Sequence, residues 1–519
     1  GGNLRVTTRN FNTGSTLIYR GTGAQFLGNG QPVNTGVTTI INNASGVSLN
    51  NSSSATVTID GDVTVLNGDL TAELDNLVLN GLTTLTGGNL NLITTTATRA
   101  LTSNGIINLN GGDLTVTSGT ANATLTVNGD ITGSGAFSFS GANNNLVLGG
   151  TGDLSIDFPL IAPTSLESVT VNRTGSIVFP QDLTVTSSLI TNSGTVVMNA
   201  PLNVGNDITM NGGDLVMNSS LVIADDLNIA TGSTLFFEGQ TVELRSQYNN
   251  TLSGGLFSAD AASTLNILNT GALGTIEFAP SGNTLGNFYL DRGTGGTLVT
   301  LNSSLNIESS FTLQNGDFLN TSGLSFTSGA TITRSNLGAF SAGSIAPTGG
   351  PYNLDYVGGT LTTGAEALGA ILNLTSNSSG TINVASNVAA TGDITINSGN
   401  FTSGGNQISA LNVSILGTFN APTAAGLLTV SGDIVNNGTF NRNGGTVVFN
   451  GNSSILGTVN PSFNNITISG ILTPPVTLNI HGAFTNNGVF NNGGTGTVAF
   501  LGTAGVTQVV SGTTVTNFA

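Results

Sequence analysis

Ile466–Phe490 reads ITISGILTPPVTLNIHGAFTNNGVF, and Val413–Phe440 reads VSILGTFNAPTAAGLLTVSGDIVNNGTF. Laid side by side, both run strand, turn, strand, a Gly-Asp-like step, a third strand, an Asn/Gly turn and a Phe. Phe288–Phe318 (FYLDRGTGGTLVTLNSSLNIESSFTLQNGDF) and Leu372–Phe401 (LNLTSNSSGTINVASNVAATGDITINSGNF) follow the same order, and another copy begins at Val169. The clearest copies are about 25–31 residues long, and over the chain the repeats are irregular at 20–31 residues. Repeats of this size in a strand-rich chain mark a solenoid or an array.

Outward from these copies the pattern is period two. Thr56-Val57-Thr58-Ile59, Leu114-Thr115-Val116, Thr124-Leu125-Thr126-Val127 and Ile394-Thr395-Ile396 alternate apolar with small polar residues and end at Gly- or Asn-rich turns. That is the signature of short strands with turn chemistry between them. Leu361–Leu372, with its Ala-Glu-Ala-Leu, is the one stretch that suggests a short helix. The expected fold is all-β, an elongated parallel β-solenoid. In such a coil each side chain stacks on its counterpart one rung away, about 4.8 Å off. Like charges repel there, whereas Asn, Thr, Val, Ile and Phe stack well. Gly recurs, on this reading, because corners demand positive φ. Phe318, Phe401, Phe440 and Phe490 fall in one repeat slot, as an interior aromatic stack would. A string of sandwiches fits less well, since it would bring longer strands and a core Trp.

Composition agrees and excludes much else. Of 519 residues only 7% are charged, against about 25% in a typical soluble domain. Gly numbers 74, and there is no Cys, no Trp and no Lys. Without cysteine, zinc fingers, iron–sulfur sites and disulfide scaffolds are out of reach. Nine Arg against 26 acids, a net charge of −17, cannot supply the field that nucleic-acid binding needs. No apolar run approaches the roughly 18–20 residues of a membrane span. The chain reads as an irregular N-terminal segment or cap over 1–45, holding Arg5, Arg9 and Arg20, and a solenoid over 46–519. Lateral insertions are expected near 240–263 and 342–369, the latter with Pro347, Pro351, Tyr352 and Tyr356.

A Gly-Asp or Xaa-Asp step recurs at Asp62, Asp69, Asp113, Asp130, Asp153, Asp182, Asp207, Asp214, Asp226, Asp317, Asp393 and Asp433. A catalytic carboxylate is normally unique, whereas these mark a repeat position, and Asp there can bond backbone N–H groups two residues on. Calcium is the alternative use, because Asp beside Asn and backbone carbonyls offers hard oxygen ligands. The calcium nonapeptide G-G-x-G-x-D is not matched. Glycoside hydrolysis needs paired carboxylates, and the nearest sequence pairs are Asp225-Asp226, Asp60/Asp62 and Asp153/Asp157. Sugar clefts commonly use Trp and Tyr platforms, and here Tyr19, Tyr248, Tyr289, Tyr352 and Tyr356 are mostly far apart. His481 is the only histidine and sits before Gly482, where another copy has Ser431-Gly432, so an outward turn-flanking role is expected. No residue stands out as catalytic, cofactor-binding or metal-ligating.

SGDIVNNGTFNRNGGTVVFNGNSSILGTV at Ser431–Val459 and HGAFTNNGVFNNGGTGTVAFLGT at His481–Thr503 resemble the "GDFTNNGTF…GTVTFNG" repeats of large bacterial surface proteins, notably of Bacteroidetes. They are broadly similar to filamentous-haemagglutinin-like and autotransporter β-helices. The resemblance implies a secreted, extracellular or cell-surface protein acting as an adhesin, fibre or matrix component, and it transfers no functional residue. Ser511–Ala519 stops part-way through a repeat, so continuation of the chain or end-to-end self-association by strand addition is expected. The function anticipated is therefore a non-catalytic structural fibre subunit or adhesin shaft, with a surface glycan or host-matrix ligand as partner, no nucleic acid and no membrane span. The alternative is a polysaccharide-active β-helix enzyme or a carbohydrate-binding module.

Overall fold

The computed structural model describes residues 11–27, 36–49, 56–73, 75–156, 160–161, 165–223, 225–245, 252–268, 273, 275–293, 298–494, 496–502 and 507–516. The chain forms a parallel β-solenoid and divides into two units, Gly1–Ser258 and Ala259–Ala519.

In the first unit a coil visits three walls in turn. Val63–Asn67, Leu70–Ala72 and Asn76–Leu79 make one such coil, after which Thr83–Leu85 returns to the first wall and pairs in parallel with Val63–Asn67. The third wall shows why the sequence folds this way. Leu77, Leu101, Leu125, Leu146, Val169, Leu189, Ile208 and Leu227 lie directly over one another in register, and all are buried. Period-two alternation puts every second side chain of a strand inside. Each such Leu stabilises the coil by about 1.5–3 kcal/mol through burial. The small polar residues between them face outward.

The second unit has the same plan beyond Tyr352. Ile394–Ile396, Asn400–Thr402 and Gln407–Ala410 make one coil, with Val413–Ile415, Thr418–Asn420 and Leu427–Val430 paired onto them in parallel. Nearer its start the strands are longer. Leu305–Asn320 pairs with both Phe278–Asp291 and Thr331–Phe340.

Several expectations need correction. The stacking interval varies as the irregular repeats imply: Leu77, Leu101 and Leu125 recur after 24 residues, and Phe401, Phe419 and Phe440 after 18 and 21, the 18 falling below the expected range. Phe419 is a slot of its own inside what reads as one repeat. Phe401, Phe419 and Phe440 stack ring on ring, with centroids 5.6 and 5.7 Å apart and planes within 15°. Phe318 instead joins a separate cluster with Phe288, Phe311 and Phe340, and Phe490 stands on another wall opposite Leu472.

Glycine recurs for a second reason besides φ. Gly81, Gly105 and Gly129 stack in one corner column where a Cβ would overlap the backbone of the glycine one rung earlier, so close approach excludes any side chain.

The N-terminal stretch already contributes walls, since Thr16–Gly21 pairs with Thr38–Asn43 and Gln25–Leu27 with Val47–Leu49. Arg5 and Arg9 lie outside the described residues. Thr241–Leu244 pairs with Leu221–Ile223, and Leu256 and Phe257 lie over Thr234 and Leu235, so these parts of 240–263 run in the wall. In 342–369, Tyr352–Gly358 is a wall strand between Thr331–Phe340 and Ile371–Ser378. Tyr352, Leu354 and Tyr356 alternate inward, which is why this stretch does not project as a loop. The helix expected at Leu361–Leu372 is a single 3-10 turn, Ala365–Leu368.

Candidate functional site

The recurring carboxylates work between rungs. Asp62 Oδ1 accepts the Leu82 N–H, Asp113 Oδ1 the Ala136 N–H, Asp153 Oδ1 the Ser176 N–H, Asp214 Oδ1 the Thr234 N–H and Asp433 Oδ1 the Ser454 N–H, at 2.7–2.9 Å. The partner amide is thus about one coil further on in sequence, where local turn chemistry predicts one two residues on. Asn alternates with Asp in the same role. Asp69 accepts the Asn89 N–H, Asn89 the Asp113 N–H, Asn373 the Asp393 N–H and Asn412 the Asp433 N–H. Pure amide ladders run alongside: Asn104 donates to Asn80 and Asn128 to Asn104, and likewise Asn192 to Asn172 and Asn211 to Asn192. Charge-assisted bonds to a carboxylate are stronger than neutral ones, and an intervening Asn keeps two carboxylates from facing each other across one rung.

Described members of the sequence pairs take ladder roles. Asp60 accepts the Asn80 amide and Asp62 the Leu82 N–H, each as a ladder member. Asp226 donates its N–H to Asp207 Oδ1. Asp157 and Tyr248 lie outside the described residues. His481 is half-buried, donates its backbone N–H to the Phe463 carbonyl, and has its imidazole pKa lowered by burial and then by the Arg442 charge. Among the described residues no group of three or more His, Cys, Asp or Glu side chains is placed to hold a metal ion.

Two places in the second unit depart from the uniform ladder. One is a buried network at the 3-10 turn. Glu366, fully buried, accepts on Oε1 from the Arg334 guanidinium, from Tyr356 Oη at 3.1 Å and from the Gly364 N–H at 2.8 Å. Tyr352 Oη donates to the Glu366 carbonyl at 2.6 Å. Burial and then the Glu366 charge push both phenols upward, so they remain protonated donors. This network fastens the turn to the neighbouring strands.

The other is a polar trough of about 450 Å³ on the outward face of Thr331–Phe340, Tyr352–Gly358, Ile371–Ser378 and Ile394–Ile396. Asn353, Asp355, Asn373, Asn377 and Asp393 line it together with threonines. Asp355 Oδ1 accepts the Asn377 amide and Asp393 Oδ1 the Asn412 amide. Partial burial raises the Asp355 pKa, and the Asn377 bond opposes that rise. No aromatic side chain lines the trough. Sequence reasoning missed it because its residues come from four different coils.

No family model matches the chain, and neither a curated protein nor a solved structure shows significant similarity to it. Among the described residues no helix is long and apolar enough to cross a membrane.

Proposed function

We propose that this protein is an extracellular, non-catalytic structural element, a fibre subunit or adhesin shaft resembling bacterial surface β-solenoids. The observation that carries the reading is the use of outward carboxylates and amides as rung-to-rung hydrogen bonds, a role that stiffens a coil. Two of the five tyrosines, Tyr352 and Tyr356, face the interior, where they cannot stack on sugars. End-to-end association by strand addition belongs to the same proposal.

Electron microscopy of the purified chain over a range of concentrations tests it, together with incubation on neutral and acidic polysaccharides. Rods or filaments with no change in polysaccharide chain length are expected. Dispersed globular particles, or release of shortened sugars, would remove the reading.

The trough at Asn353–Asp393 favours a second reading, a carbohydrate-binding module. Binding to a glycan panel that falls when Asp355 and Asp393 are changed to Ala would support it.

A further inference from the structure

One wall of the first unit is interrupted. The first wall runs through Thr83–Leu85, Ile107–Leu109 and Ile131–Gly133 in unbroken parallel register, and Ile131–Gly133 is its last strand. The next coil supplies Leu154–Ser155, which pairs forward with Ser176–Phe179 and not back onto Ile131–Gly133. The other two walls still pair across this level, Ala123–Val127 to Asn144–Leu148 and on to Ser165–Val171, and Phe137–Ser140 to Leu160–Ile161, the last strand of its own sheet. Between the parted strands lies a cleft of about 340 Å³ lined by residues 130–133 and 153–155.

The cause is an insertion at the corner. Val127-Asn128-Gly129-Asp130-Ile131 turns the corner with three residues between the strand ends. Leu148-Gly149-Gly150-Thr151-Gly152-Asp153-Leu154 uses five, and the next corner, from Val171 to Ser176, uses four. The corner column records the misfit. A Cβ on Gly129 would overlap Gly105, and one on Gly175 would overlap Gly152, but one on Gly152 would meet nothing within 4 Å.

Arg173 occupies the widened corner, 1% exposed. Its Nε donates to the Gly152 carbonyl at 2.6 Å, one terminal nitrogen to Gly129 and Gly149 at 3.0 and 2.9 Å, and the other to Thr151 at 3.1 Å and to Asp130 Oδ1. One guanidinium therefore ties three successive coils together where backbone pairing has stopped. Asp130, by its place in the repeat, would accept the N–H of the next coil, as Asp62 and Asp153 do; here it accepts Arg173 instead.

We infer that this seam is a preset joint of the first unit: the wall opens between Ile131–Gly133 and Leu154–Ser155, the two walls that still pair across this level act as the hinge, and Arg173 with Asp130 is the latch. The planar fork suits the task, because five donors in one plane reach carbonyls on separate coils, which a lysine ammonium cannot do. The proposal does not depend on the shaft reading, since it concerns which part of the coil yields first whatever the chain binds.

Hydrogen–deuterium exchange on the whole chain tests it. In the unaltered protein the Ile131–Gly133 amides should exchange faster than those of Ile107–Leu109, one coil away on the same wall. Arg173→Ala should speed exchange over 129–133 and 149–155 by about tenfold or more, the factor expected when charge-assisted bonds are lost. Exchange at Ile107–Leu109 should stay unchanged. Arg173→Lys and Asp130→Asn, milder changes that keep the corner filled, should give smaller increases in the same segments, and they serve if Arg173→Ala does not fold. Equal protection of Ile131–Gly133 and Ile107–Leu109 in the unaltered chain overturns the inference. So does an increase in the variants spread evenly over the first unit.

Discussion

Asn412 stands one coil from Asp393 and one coil from Asp433, donating its amide to the first and accepting the backbone N–H of the second. Its uncharged side chain is what allows the two carboxylates to share a column. Asn412→Asp removes the donor and sets three carboxylates on successive coils, which should destabilise this region by about 1 kcal/mol per adjacent pair at neutral pH. Mutual repulsion raises folded-state pKa values above the unfolded ones, so the folded chain binds more protons and the penalty fades as pH falls through roughly 4. Thermal melts at pH 7 and pH 4 check this, and a deficit that persists at pH 4 argues against charge as its cause. Asp355 follows the same sign rule from a different cause. Burial raises its pKa, so its contribution to stability declines as pH rises through the carboxylate range. Asp355→Asn keeps an oxygen to accept the Asn377 amide, and should flatten that decline and stabilise the protein slightly at pH 7, measured as a melting shift against pH.

Among the strands, Thr418–Asn420 tests how far a defect travels. Phe419 lies between Phe401 and Phe440, fully buried. Phe419→Ala should cost about 3–5 kcal/mol locally. In a stacked coil each turn contacts chiefly its neighbours, so faster amide exchange should be confined to roughly 380–441, with residues 11–245 untouched. A uniform loss of protection would show that the coils melt as one cooperative block. The inward Phe at 401 and 440 was legible as a repeated sequence slot. Phe419 was not, because Asn420-Ala421-Pro422 after it reads as a turn in mid-repeat and the interval of 18 residues is shorter than its neighbours'. The alternation in Ile394-Thr395-Ile396 announced a strand with its faces correctly assigned. The partners of Asp62 or Asp433 were hidden for a plain reason: they lie a coil away, and the coil length varies, so register cannot be read without the fold. Arg173 was hidden likewise. In Val171-Asn172-Arg173-Thr174-Gly175 it looks like an exposed turn residue, and only the two-residue-longer corner explains its burial.

For the molecule as a whole the all-β solenoid was legible, and the trough and the seam were not, the trough because its residues come from four coils and the seam because it arises where a corner lengthens. Because the outward carboxylates are engaged as ladder acceptors, chelation should leave the protein unchanged: the melting temperature with excess EDTA is expected to match that with added calcium. A rise on adding calcium would assign some of these aspartates to metal binding instead. The amide ladders have one more consequence, for how the protein ages. Asn80, Asn104 and Asn128 each precede a glycine, the pairing most prone to spontaneous deamidation, in which the following backbone nitrogen attacks the side-chain amide and ammonia leaves. Held by the coil before and after, Asn104 cannot swing toward that nitrogen without breaking two bonds. Asn443, exposed at φ 38° ahead of Gly444, belongs to no such ladder. Isoaspartate in long-stored protein should therefore accumulate at Asn443 well before Asn104, so that an open turn keeps time while the laddered corners do not.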